Sequence, residues 1–306
     1  MKKPGRRGAA LLLVVVIIGL LAFLTAEFQR RSHLEAVLSV NALQALQAQA
    51  LTRSGYAAAV ALLRQDSSDN GTDSRADLWA NGPTGPTHVV PVGDYMVSVK
   101  IEDQYGKFPV NSLVDQQGAP VPPRVEAYAR LLSELKLADA DVNALTDALV
   151  DWIDRDSSND RYEYNGKYTV PNAPIKHLSD IARIEGYDRL SAEDMKKLLA
   201  HLDARENPVI NANTASVPVL MAIHPNLSYD DAKKLYDELS ETPDVGGSIV
   251  SKYIPADRRA FTVASTSDRF QVLISSDVNG VVRKAEAIVR RDAGAKRVEL
   301  LEWVQY

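Results

Sequence analysis

The chain contains no cysteine, which excludes disulfide staples and thiolate metal centres. It carries no G-x-S-x-G, H-E-x-x-H or phosphate-loop pattern. Its five histidines, His33, His88, His177, His201 and His224, are scattered. Asp147, Asp151 and Asp154 can share a helix face, and paired carboxylates can do acid–base work. No partner set accompanies them, so surface charge is the simpler reading and no enzyme is expected. Two local absences say more. Ala9 to Ala26 holds no charged residue, and Glu27 to Gln65 holds no proline and only one glycine, Gly55.

What is present begins with a basic tip, Lys2, Lys3, Arg6 and Arg7, then Gly8, then the uncharged run. A cleavable secretory signal has an apolar stretch of about 7–15 residues and a small-x-small cleavage site. The run here is longer, and Thr25-Ala26-Glu27 is a poor cleavage site. Roughly 18 apolar residues cross most of a bilayer core. The basic tip holds the N-terminus in the cytoplasm by the positive-inside rule. Beyond Glu27, alanine, leucine and glutamine favour continued helix. Leu34, Leu38, Ala42, Ala45 and Leu46 recur at helical spacing. Span and extension together predict one rod of roughly 85 Å, ending near Ser67–Gly71.

The remaining chain reads as a sheet interrupted by helices. Asp94–Asp103 alternates, with Tyr95, Val97, Val99 and Ile101 on one face. Phe261–Thr266, Arg269–Ser276, Val281–Arg291 and Arg297–Tyr306 read as an antiparallel meander with turn residues between them. Between the two parts lie short helical patterns: Val125–Leu137, Val142–Ile153, Leu178–Glu185, Ser191–Leu202, Ser216–Ile223 and Ser228–Leu239. The expected fold is α+β. A long N-terminal helix (9–66) joins an antiparallel sheet (88–115 and 256–306), with a large all-α insertion (116–255).

Leader, glycine and continuous apolar helix together resemble the type IV pilin superfamily. Further phrases narrow the likeness to the minor pseudopilin K family of type II secretion systems. Asp103-Gln-Tyr-Gly-Lys-Phe-Pro-Val-Asn-Ser-Leu113 is similar to its D-x-x-G…N-x-L passage, and Leu149-Val-Asp-Trp-Ile-Asp-Arg-Asp156 to its D-W-I-D-x-D motif. Tyr168 to Glu185 resembles its Y…N-x-P-L…E-L segment, and Asn211-Ala-Asn-Thr-Ala215 with Val219-Leu220 its N-x-N-T-A…V-L segment. The stretch between Asp156 and Tyr168 is short and lacks the family's G-A-E-D-like run.

The resemblance implies that residues 1–8 are a leader, cleaved after Gly8 by a prepilin peptidase, with Ala9 as the N-methylated mature terminus. It implies a single pass of the inner membrane, a globular part in the periplasm, minor pseudopilins I and J as partners, and a structural role in protein secretion. Most pilin-like subunits carry glutamate as the fifth mature residue, where it neutralises a neighbour's terminal amine. Leu13 stands there instead. Subunit K typically lacks that glutamate and is thought to cap the pseudopilus tip. Two rivals are a minor pilin of a type IV pilus or competence pseudopilus, and a membrane-tethered periplasmic binding protein.

Asp154, Asp156, Ser158 and Asp160 fall at positions 1, 3, 5 and 7 of a loop, as in the start of an EF-hand. Asn159 and Asn165 break that pattern at positions 6 and 12. Asp151 or Glu163 can complete a calcium loop of another geometry, since oxygen-only donors favour a hard cation. The family's calcium binding in this insertion points the same way. The Asn211–Leu220 segment also resembles helix-hairpin-helix modules. Its connection, His224-Pro-Asn-Leu-Ser228, lacks glycine, and the following helix mixes acids with lysines. Asn211, Asn213 and Thr214 therefore read as turn and cap residues. Formal net charge falls from −5 to −9 once the four basic leader residues are removed, which argues against nucleic acid as a partner.

Overall fold

The computed structural model describes residues 6–69, 71–83, 85–138, 140–155, 170–292 and 294–306. It begins with one unbroken helix, α1 (Arg6–Asp69). At 64 residues the rod is about 96 Å long. From Leu11 to Leu43 its large apolar side chains stand exposed. From Gln44 onward one face is covered, and Ala48, Leu51, Ala59 and Leu63 are buried. With Gly55, also buried, these residues recur every three or four positions, the spacing of a seated helix face.

The covering surface is a five-stranded antiparallel sheet. After α1 come β1 (His88–Val92), β2 (Tyr95–Asp103) and the short β3 (Phe108–Pro109). The helical region follows: α2 (Pro122–Leu135), α3 (Val142–Ile153), α4 (Ala192–Leu199), β4 (Leu202–Asp203), β5 (Val209–Asn211), α5 (Val217–Ile223), α6 (Tyr229–Glu241) and α7 (Ser248–Tyr253). The chain then returns through β6 (Thr262–Ala264), β7 (Arg269–Val278), β8 (Val281–Asp292) and β9 (Arg297–Gln305). Strand order in the large sheet is β1-β2-β7-β8-β9, so the helical region is inserted between neighbouring strands. Val97, Val99 and Ile101 of β2 and Phe270, Val272 and Ile274 of β7 bury their side chains with those of α1.

Gly55 marks the closest approach of helix to sheet. A Cβ there would lie 2.8 Å from both Ile274 Cγ2 and Val97 Cγ1. Glycine costs a helix interior about 1 kcal/mol against alanine, and here it lets the backbone settle onto the strands.

The helical region has its own core, with Tyr128, Leu131, Leu149, Tyr187, Leu220 and Leu235 at its centre. The Tyr128 and Tyr187 hydroxyls share a 2.8 Å hydrogen bond, and Tyr187 Oη donates to Leu145 O at 3.0 Å. Ser191 and Ser228 cap α4 and α6 by accepting from the Asp194 and Asp231 amides, as their sequence positions predict.

Two expectations need correction. The Phe261–Thr266 segment does not belong to the meander. Its strand, β6, pairs in parallel with β5, and Phe261 lies in the core of the helical region. Apolar alternation reports a strand but not which sheet receives it. The Leu178–Glu185 helix is instead a 3-10 helix, Leu178–Arg183, with no side-chain cap at His177.

Gly55→Ala should lower stability by about 1–3 kcal/mol, although alanine is the better helix former. Chemical unfolding would measure it. A gain would mean that α1 is not seated as described.

Candidate functional site

The two cores meet at a seam of buried polar side chains, and the seam is built from the sequence's own motifs. Asp103 closes β2 with its carboxylate inside the protein. Its Oδ2 accepts from Thr214 Oγ1 at 2.5 Å, Ser267 Oγ at 2.7 Å and Asn211 Nδ2 at 3.0 Å, and its Oδ1 from the Tyr105 amide at 2.8 Å. Gly106 sits against Thr214, and a Cβ there would be 2.7 Å from Thr214 Oγ1. The D-x-x-G and N-x-N-T phrases are thus two halves of one joint. Asn211, Asn213 and Thr214 do more than cap helix ends. Asn211 Nδ2 also donates to Asp73 O at 2.9 Å, and Asn213 pairs with the Asp244 backbone, whose side chain in turn accepts from Gly247 and Val250.

A second motif residue works the same way. Asn111 Nδ2 donates to Ile175 O and Ala204 O, each at 2.8 Å, and Asn111 Oδ1 accepts from the Ile175 amide. One buried amide therefore ties three segments together.

Next to Asp103 lies a hub of charge. The Arg291 guanidinium of β8 reaches Asp66 in α1 and Asp73 beyond it, each at 2.6 Å, and donates to Ser267 O at 2.9 Å. Asp73 also accepts from the Ser267 amide at 2.7 Å. Asp66, Asp73 and Asp77 offer oxygens within 4.8 Å of one another, a grouping that can hold a metal ion. Burial pushes the Asp66 carboxyl up to about 7, aided by Asp77, while Arg291 pulls the other way. Burial likewise raises Asp73 and Asp103. On the sheet nearby the balance reverses. Burial opposes ionisation of Glu102, but Lys107 and Lys100 outweigh it and hold the group at about 2.

The segment after α1 is a clasp. Arg75 donates to Ala215 O and Tyr236 O in the helical region and lies 3.9 Å from the Tyr236 ring centre. Trp79 packs edge-on against Phe270 of the sheet at 5.1 Å. One short loop thus grips the helix, the sheet and the insertion. Sequence reasoning did not single out Asp66, Asp73, Arg75 or Arg291. Their only advance signal was charge inside otherwise apolar or turn-rich surroundings.

Of the proposed cation ligands, Asp151 and Asp154 are described and buried at the C-terminal end of α3. Asp156, Ser158, Asp160 and Glu163 lie outside the described residues. Gly8 and Ala9 fall within the α1 backbone.

A helix half exposed and half laid across an antiparallel sheet is a pilin-like fold. A model of the type II secretion system protein K family matches residues 106–204, the stretch holding Gly106, Asn111 and the D-W-I-D motif. The type II secretion system protein K of Pseudomonas aeruginosa is 29% identical, covering 95% of this chain and 94% of its own. That of Klebsiella pneumoniae is 27% identical, covering 85% and 83%. A chain in the crystal structure of the GspK-GspI-GspJ complex from the enterotoxigenic Escherichia coli type 2 secretion system shares the fold, with a TM-score of 0.67 and 17% identity, over 85% of this chain and 96% of that one. The chain is thus similar to type II secretion system protein K over nearly its whole length, and it shares the fold of the solved GspK chain.

Neighbouring arginines give a direct test of the hub. Arg291→Ala strands two buried carboxylates and should cost about 3–5 kcal/mol in denaturant unfolding. Arg290→Ala removes an exposed pair with Glu299 and should cost under about 1 kcal/mol.

Proposed function

We propose that the chain is a minor pseudopilin that waits in the inner membrane, anchored by α1, and enters the pseudopilus tip of a type II secretion system. The observation that carries this reading is the division of α1. Its first half is apolar, uncharged from Ala9 to Ala26 and exposed, while its second half is fixed on the sheet. Such a helix can lie in lipid and then leave it to pack with other helices, because apolar side chains suit both settings.

Cleavage after Gly8 exposes Ala9 as the mature terminus. Leu13 then stands where a glutamate would neutralise a neighbour's amine, so this subunit lacks that contact. The bulky helical insertion obstructs stacking of a subunit above it. Both features suit a terminal position, with the globular part in the periplasm. The partners are minor pseudopilins I and J, the proteins whose counterparts accompany GspK in the enterotoxigenic E. coli complex.

Calcium is the proposed ion. Asp151 and Asp154 are buried carboxylates at the negative end of the α3 dipole, a setting that favours a nearby cation. With Asp156, Ser158, Asp160 and Glu163 they form an all-oxygen set suited to calcium. The ion's role there is structural.

Leu38 and Leu46 are exposed, at 57% and 63%. Replacing either with aspartate should cut co-purification with subunits I and J at least tenfold, a loss of about 1.4 kcal/mol. Unchanged recovery would remove this helix face from the interface. Chelation of calcium should lower the unfolding temperature of the wild type by several degrees, and Asp154→Asn should abolish that response. No calcium response in the wild type would rule the ion out.

A further inference from the structure

We infer that Glu27, Arg30 and Arg31 form a collar on α1 that grips anionic phospholipid headgroups on the periplasmic face of the membrane and fixes how deep the helix sits. This rests on the reading of α1 as a membrane anchor. The uncharged run Ala9–Ala26 makes about 27 Å of helix, close to a hydrocarbon core of roughly 30 Å. Its far end therefore puts Glu27 at the boundary between lipid and water. From Glu27 to His33 every residue but Phe28 is polar, and large exposed apolar side chains resume at Leu34. This girdle spans about 10 Å, enough to cross a headgroup layer of roughly 5–8 Å.

The chemistry of the collar suits a phosphate. Glu27 accepts from Arg30 Nε at 3.0 Å and Nη2 at 2.8 Å, and from Arg31 Nε at 2.9 Å. One carboxylate thus serves two guanidinium groups and leaves one positive charge over. Each guanidinium carries five N–H donors, so most of them are left for a ligand. The two arginine side chains are 68% and 71% exposed. Arginine's planar fork matches phosphate oxygens, and a negatively charged leaflet attracts basic side chains beside a span. Helix stability does not account for the trio, because exposed pairs of this kind contribute little to a long rod.

Processing gives the collar its weight. Cleavage after Gly8 takes Lys2, Lys3, Arg6 and Arg7 from the cytoplasmic side and leaves only the amine of Ala9 there. The collar is then the largest group of charges next to the span. Held at this depth, α1 lifts the exposed Leu34, Leu38 and Leu46 clear of lipid, where partner helices can reach them. Entry into a filament breaks the headgroup contacts, so the lipid composition of the leaflet sets how readily the subunit leaves the membrane.

The chain has no cysteine, so a single introduced one carries a label at a chosen depth. The test reconstitutes the full chain in phosphatidylcholine vesicles with increasing phosphatidylglycerol and follows acrylamide quenching of a fluorophore on Phe28→Cys. Phosphatidylglycerol should protect that fluorophore. With Arg30→Gln and Arg31→Gln together, the same protection should need at least about fivefold more phosphatidylglycerol. Glu27→Gln, which frees both arginines, should need less than the parent. A fluorophore on Ile17→Cys should stay shielded throughout. Exposure of Ile17 would overturn the anchor reading itself. A shielded Ile17 with no phosphatidylglycerol response at Phe28, or an unchanged response without the two arginines, would overturn the collar alone. So would a loss in Glu27→Gln as large as in the arginine variant, which would reduce the trio to helix pairing. Equal protection by inorganic phosphate in pure phosphatidylcholine vesicles would also overturn it, by making this a site for free anions.

Discussion

The structure depends on the pairing of a few buried polar groups where its two hydrophobic cores meet. Neither core reaches across the seam. What joins them is Asp103 with its four donors, Asn211 with its three acceptors, and Arg291 between Asp66 and Asp73. Buried groups of this kind contribute modestly when satisfied and cost a great deal when one partner is lost. That asymmetry makes the joint specific. The insertion can dock in one arrangement only, since any slip would leave several donors or acceptors unpaired.

The same joint gives the subunit its mechanical character. The exposed half of α1 has no sheet beneath it, and the seated half is held closely enough that Gly55 has no room for a methyl group. At its far end the helix enters the hub, and through the clasp the hub reaches the insertion. Force applied along the apolar half is therefore passed to the whole globular part rather than dissipated in a hinge. The proposed role, in which the subunit is drawn from a membrane into a filament by its helix, needs such rigidity. Here it comes from a proline-free rod ending in a buried ion pair.

Much of this was legible in the sequence, for reasons that can be located. The rod was legible because uncharged and alanine-rich stretches follow one another without a breaker. The β2, β7 and β8 strands were legible because residues on one face of each are buried and those on the other are more exposed; β9 was legible from its apolar content and position in the meander, with Val298 its one buried residue. Ser191 and Ser228 announced α4 and α6 through local cap chemistry. The destination of β6 was hidden, because pairing with β5 is decided by packing between distant segments. The motif residues were visible, but their work was not. Asn211 and Thr214 looked like caps because local hydrogen bonding is what a sequence displays, whereas their partners Asp103 and Asp73 lie more than a hundred residues away. Arg291 gave only a weak sign, a charge in an apolar strand, and nothing in the sequence says which of the two adjacent arginines turns inward.

The account rests most heavily on α1 being a mature N-terminal helix that is processed and assembled. The N-terminal mass of the protein, recovered from membranes with and without a prepilin peptidase, tests that directly. The expected result is a peptidase-dependent start at Ala9 bearing one added methyl group. An intact Met1 in both preparations, or a start near Glu27, would contradict it and leave an ordinary anchored or secreted domain.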